Sequence, residues 1–255
     1  MDHGNVLEKV KRKLRAKNRK LRTEQKYCEW VSDYLRFCRS QPGKLSKEEA
    51  VRVFLEYLAV DRNVAYDTQR QALCALRFLY REVYDTELGE VGDFRPSSKP
   101  ESVPVLYTPA ECGAILSKLH DEFWLLGVIM FGAGLRNAEA VRCRIKDFDF
   151  GEEQIVIRDP KGHRHRISLF PEILKEPLRR HLERVKRQHD EDLRNGFGEV
   201  WLPNALDRKY PNACREFIWQ YAFPSRTLSV DPRSGKKRRH HLHERSLQGA
   251  VRRAV

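Results

Sequence analysis

The chain's 255 residues carry 49 lysines and arginines against 36 aspartates and glutamates, a net charge of +13, with 40% of residues hydrophobic. Such a composition can core one large domain or two ordinary ones and excludes disorder as the default; its charge points to a polyanion, nucleic acid first and an anionic membrane surface second. No apolar run approaches the roughly 18 residues of a membrane span and no apolar segment follows the basic start, so a cytoplasmic protein without signal peptide is expected.

Six cysteines, Cys28, Cys38, Cys74, Cys112, Cys143 and Cys214, are scattered without a Cys-x-x-Cys pair. This argues against zinc and against a disulfide framework, and the expectation is six reduced thiols with neither metal nor cofactor.

Residues 9–22 hold nine basic side chains and no acidic one. The block is expected to be a solvated arm tracking phosphates. From Tyr27 the positions Tyr27, Trp30, Val31, Tyr34, Leu35 and Cys38 recur on one helix face that ends before Pro42-Gly43. Ser46 and Glu49 form a capping box for a second helix, and a third is predicted over 66–83. Residues 88–104 concentrate glycine, proline and serine and read as a linker. Thr108-Pro109-Ala110-Glu111 combines an N-cap, a proline at the first helical position and a capping glutamate, so a helix starts at Pro109.

The stretch Phe131-Gly-Ala-Gly-Leu-Arg136-Asn-Ala-Glu139 breaks a core helix at its glycines and sets Arg136 at the start of the next helix, where backbone N–H groups favour an anion. Glu139, three residues on, can buttress that guanidinium. A solvated Arg136 at a plain helix junction explains the stretch equally well. Gln154–Arg158 and Arg164–Leu169 alternate about a turn bearing Lys161, the pattern of a β-hairpin. A long basic helix follows from about 171 to 194. Residues 195–225 interleave Trp201, Tyr210, Trp219 and Tyr221 with basic residues, which suits stacking of unpaired bases or plain core filling. The segment 231–243 reads as a charged loop with three histidines, and with no acidic or cysteine ligands at the right spacing it is better suited to base or phosphate contacts than to a metal.

Taken together, Gly134-Leu135-Arg136-Asn137-Ala138-Glu139, the lysine-bearing turn Pro160-Lys161-Gly162, the inserted Lys209-Tyr210-Pro211 and Trp219-Gln220-Tyr221 strings, Asp231-Pro232-Arg233 and Arg239-His240-His241 resemble the tyrosine recombinases, and within them the integron integrases. The resemblance implies a mainly α fold with a small β-hairpin or sheet, in two domains. A basic arm at 1–22 would precede a helical core-binding domain at 23–88, a linker at 89–104 and an incomplete catalytic domain at 105–255, with an integron-specific insertion at about 195–225. It implies site-specific recombination of gene cassettes at folded single-stranded attC and double-stranded attI sites by a DNA-bound tetramer. Arg136 would clamp a scissile phosphate, supported by Glu139, and Lys161 would protonate the leaving 5′-oxygen. Trp219 and Pro232 would hold one extrahelical base and His240 and His241 another, with Lys209 and Arg239 also at the DNA.

The family's His-x-x-Arg box and nucleophilic tyrosine have no match. His163-Arg-His-Arg166 and His181-Leu-Glu-Arg184 mimic the box out of place and read as solvated or phosphate-facing, and no tyrosine follows Tyr221. The expectation is a carboxy-terminally truncated integrase, inactive alone. Its rivals are a non-catalytic DNA-binding regulator and an RNA-binding or membrane-surface protein, the last two supported only by charge.

Overall fold

The computed structural model describes residues 3–41, 43, 45–91, 106–158, 165–202 and 206–255. The chain divides into two compact units, Met1–Pro104 and Val105–Val255. Most of the linker at 89–104 and the hairpin turn with Lys161 lie outside the described residues.

The first unit is four helices, α1 (His3–Ala16), α2 (Leu21–Ser40), α3 (Lys47–Val60) and α4 (Tyr66–Val83). The amino-terminal block is not a solvated arm. Val6, Val10 and Leu14 recur every four residues along α1 and are fully buried, with Val31, Tyr34, Leu76 and Leu79 in the same core. Four-residue spacing keeps one side of a helix apolar whatever the charge of the rest. The acidic partners that the block lacks come from elsewhere in the chain. Arg15 donates to both oxygens of buried Glu24 at 3.0 and 2.8 Å, and Lys17 pairs with Glu82 at 2.7 Å. Asn18, at φ 52, makes the left-handed turn into α2. Ser46 closes the anticipated capping box on α3, its hydroxyl accepting from Glu49 N–H while its own N–H donates to the Glu49 carboxylate.

The second unit mixes helices with two small antiparallel sheets. Helices α5 (Pro109–Ser117), α6 (Asp121–Gly132) and the single turn α7 (Asn137–Ala140) precede strands β1 (Phe148–Asp149), β2 (Gln154–Arg158) and β3 (His165–Leu169), paired in that order. The long α8 (Glu172–Arg194) and short α9 (Leu206–Lys209) follow, then a hairpin of β4 (Pro224–Val230) and β5 (Lys237–His241), and α10 (Glu244–Ala254). Leu126 and Ile129 of α6, Leu174 and Leu178 of α8, Ile155 of β2 and Leu247 of α10 fill the core.

Two expectations need correction. The predicted charged loop at 231–243 contains a strand: after the turn at 231–236, Lys237–His241 form β5, which pairs with β4 with Leu228 opposite Arg239. The strand Lys237-Arg-Arg-His-His offers no apolar alternation, because main-chain bonds and ion pairs hold it instead. His181, expected to be solvated, is buried in α8, its Nε2 2.8 Å from the Ala222 carbonyl and its ring stacked on Phe223. Burial lowers its pKa despite that hydrogen bond, so the imidazole is neutral at pH 7 and donates to the carbonyl. Among the described residues no helix is long and apolar enough to cross a membrane, and no group of histidine, cysteine and acidic residues could hold a metal ion.

If α1 is part of the first core, Leu14→Ala costs about 2–4 kcal/mol of stability. Hydrogen exchange on the whole chain checks this: α1 amides protected like those of α2 in the wild type should exchange far faster in the variant, and unprotected wild-type amides would refute the packing.

A candidate nucleic-acid interface

Arg136 stands on a tight turn between α6 and α7. Gly134 takes φ +65 there, a conformation that only glycine adopts without strain, and Leu135 is buried so that the next side chain must point outward. The Arg136 side chain is 78% exposed. Its backbone N–H donates to Glu139 Oε2 and its guanidinium to Oε1, both at 2.8 Å. Arg166 of β3 reaches the same carboxylate at 2.6 Å, and Ser168 donates to the Ala133 carbonyl at 2.6 Å, fixing β3 against the turn. Two guanidiniums therefore share one carboxylate and leave a net positive, solvent-facing pair. Burial pushes the Glu139 carboxyl up, but the Arg136 N–H, the Arg136 guanidinium and Arg166 outweigh it and hold its pKa below the usual range. Helix α7 is four residues long, so any anion affinity here rests on the guanidiniums and not on a helix dipole.

A second group forms where the inserted segment meets the core. Backbone bonds Ile145 N–H to Gln220 O (3.1 Å) and Ala222 N–H to Cys143 O (2.9 Å) stitch residues 143–145 to 220–222. Arg144 between them is buried, donates to the carbonyls of Trp219 and of Trp201 (2.7 Å for the latter), and lies 4.9 Å over the Tyr221 ring. Trp219 is half-buried, with the Lys146 ammonium 2.8 Å from its ring centre. On the other side of Tyr221 the rings of His240 and His241 lie 4.0 Å apart, each packed against the tyrosine. Burial lowers both histidines' pKa values, that of His241 to about 4, so at pH 7 both are neutral. Neutral imidazoles can stack on a base or hydrogen-bond its edge, whereas an ion pair with phosphate is closed to them.

The anticipated residues separate accordingly. Arg136 and Glu139 meet as expected, and Trp219, His240 and His241 gather around Arg144 and Tyr221. Lys209, the last residue of α9 and beside Tyr210, and Pro232, in the turn between β4 and β5, are both exposed. Lys161 lies outside the described residues. Arg239 faces inward: it holds Asp192 of α8 through two bonds of 2.5 and 2.8 Å and also donates to the carbonyls of Ser225 and Arg226. Arg144 and Lys146 escape the sequence reading altogether, and Arg166, read there as solvated or phosphate-facing, is missed as a partner of Glu139. Their signal was present for the first two, since Arg142, Arg144 and Lys146 alternate with Cys143 and Ile145 as in an extended segment with one basic side.

Two outcomes follow from this geometry. Arg239→Ala strands the buried Asp192 carboxylate and should cost about 3–5 kcal/mol in denaturant unfolding, far more than a surface DNA contact would. Because Glu139's pKa is depressed in the fold, the stability it adds is present above its unfolded value and is lost as pH falls through the folded one. A Glu139→Gln variant should therefore lag the wild type near neutral pH and converge on it in acid, as read from unfolding midpoints at each pH.

Comparison with known proteins fits these features. Residues 6–90 match the model of the phage integrase N-terminal SAM-like domain. An integrase/recombinase of Escherichia coli is 40% identical over 254 residues, covering 98% of this chain and 74% of that protein. The tyrosine recombinase XerA of Thermococcus onnurineus is 31% identical over 188 residues, 71% of this chain and 62% of that one. Among solved structures, the Tn1549 transposon integrase in complex with transposon right end DNA aligns with a TM-score of 0.58 at 17% identity, over 87% of this chain and 71% of that one. The XerH recombinase bound to difH in a pre-cleavage complex aligns at 0.54 and 18%, over 100% and 68%. These structures share the fold; the sequence relatives establish descent, and the chain belongs to the tyrosine recombinase, or phage integrase, family.

Proposed function

We propose that this chain binds DNA as an integron-type integrase, taking folded single-stranded attC sites through its inserted segment and double-stranded attI sites through its basic surface. The observation that carries the reading is the Trp219, His240 and His241 group, a set of exposed or half-exposed flat rings with neutral imidazoles, built where the segment that resembles the integron-specific insertion meets β5. Flat uncharged groups recognise unpaired bases by stacking and edge contacts, while a duplex hides those faces. Support for DNA as partner comes from the solved neighbours, which are themselves DNA complexes.

Arg136 is the proposed phosphate ligand. Its exposed fork, braced from behind by Glu139, can donate to two non-bridging oxygens and stabilise charge that accumulates there as the phosphate is attacked. Lys161 would give its proton to the departing 5′-oxygen. Arg166, on the same carboxylate, is a candidate to turn toward the same phosphate.

The attacking tyrosine is the part with no candidate here. Within the 255 residues none follows Tyr221, and Tyr221 is buried, packed between Arg144 and the two histidines, with its hydroxyl pKa raised by burial. We therefore propose that the 255-residue chain by itself binds its sites without strand transfer, which also describes a non-catalytic DNA-binding regulator. Tetramer formation on DNA would need partners that carry the remaining groups.

Incubation with a nicked suicide attC substrate should give no denaturation-resistant protein–DNA band; such a band would refute the inactivity. In parallel, binding of a folded attC hairpin should weaken steeply with salt, and Trp219→Ala should lose about tenfold for the hairpin while leaving a fully paired duplex unaffected. Equal loss on both DNAs would defeat the integron-type reading.

A further inference from the structure

We infer that Lys146 sets Trp219 as a one-sided, cationic platform: its ammonium occupies one face of the indole, leaving the other for a single unpaired base, whose phosphate it draws in. This rests on the reading of Trp219 as a base contact. Three observations place Lys146 in that role.

First, position. The ammonium nitrogen lies 2.8 Å from the centre of the indole, over its face and not at its rim. A cation held there excludes a base from that face, so Trp219 cannot be sandwiched between two bases. Second, the indole is clamped at its backbone as well. Arg144 donates to the Trp219 carbonyl, and Trp219 N–H donates to the Glu216 carbonyl at 3.2 Å. The main chain that carries the ring is thus held before any ligand arrives, which lowers the entropy lost on stacking. Third, charge. Lys146 sits among the Arg144 and Arg158 guanidiniums, and the Asp147 carboxylate near it is already bonded to the Arg144 N–H (2.8 Å) and Arg158 Nε (2.6 Å). Lys146 therefore keeps an ammonium seated on the indole, half withdrawn from water and ready for an anionic oxygen carried in by the stacked nucleotide.

The electrostatics give this arrangement a signature. Burial, then Arg158, lower the Lys146 pKa to about 8, with Asp147 opposing and Arg144 adding to the shift. Protonated at pH 7, the group loses its charge as pH rises through that value, so hairpin binding should weaken across about pH 7–9.5. A merely structural contact of the lysine stem would show no such step.

The test uses the 255-residue chain with a folded DNA hairpin carrying one unpaired base, read by fluorescence anisotropy from pH 6.5 to 9.5. Lys146→Met keeps the stem and removes the charge; it should bind about three- to tenfold more weakly at pH 7 and show no step near pH 8. Lys146→Arg keeps the charge at all pH values and should hold at pH 9 the affinity that the wild type loses. Wild-type affinity and pH profile in Lys146→Met, with Trp219→Ala still defective, would overturn the role of Lys146 alone. If Trp219→Ala binds the hairpin normally, the base-contact reading itself fails. Trp219 emission without DNA, taken as the difference between the wild type and Trp219→Phe, should change with a midpoint near pH 8, and an invariant emission would count against the ammonium's place on the ring.

Discussion

The second unit depends on one buried guanidinium. Arg144 sits where the segment after α7 meets the inserted segment, and it satisfies two carbonyls of that insertion, those of Trp219 and Trp201, while lying over Tyr221. A desolvated arginine is tolerable only where carbonyls and a ring face replace the water it has lost. Remove it, and two part-buried carbonyls lose their donor together, at up to about 1–3 kcal/mol for each one left without any partner. Main-chain bonds on both sides of it make the junction a short ladder, so the insertion is a shelf attached to the core at a defined register, not a loop draped over it.

That junction also sorts the charge. A net +13 suggests a surface uniformly available to a polyanion, yet many cations here are committed to protein. Arg15 holds Glu24, Arg239 holds Asp192, Arg142 holds Glu244, and Arg144 is enclosed. At the two candidate sites the cations are placed differently: Arg136 stands exposed on its glycine turn, and Lys146 lies half-buried against an indole. Net charge gives long-range attraction to a polyanion, whereas discrimination among its sites needs groups held at fixed positions such as these.

Much of this was legible in the sequence, and the parts that were not share a cause. Local signals came through: the capping boxes of Ser46 and Thr108, the break at Gly134, and the bond of Glu139 to Arg136 all involve residues within a few positions of each other. Signals masked by composition did not. The stripe Val6, Val10, Leu14 is thin beside nine basic residues, and β5 carries no apolar alternation at all. Partnerships across long sequence separations were invisible too. The resemblance sets Arg239 at the DNA, and no local signal shows that its carboxylate is 47 residues away on α8. Arg166 reads as solvated or phosphate-facing, and its partner Glu139 lies 27 residues upstream.

The two candidate sites are joined through α10. Asn137, next to Arg136, donates to the Glu244 carbonyl at 3.1 Å, and Arg142 pairs with the Glu244 carboxylate at 2.7 Å. Glu244 opens α10 directly after the strand that ends in His240 and His241. The Arg136 turn and the His240 and His241 rings thus share an anchor three residues from His241. On the proposed reading, in which the rings take an unpaired base and Arg136 a phosphate, that anchor ties the two contacts together at a set spacing. Such a tie would favour a DNA in which an unpaired base and a phosphate stand at a fixed separation, a geometry that a folded single strand can hold and a uniform duplex lacks.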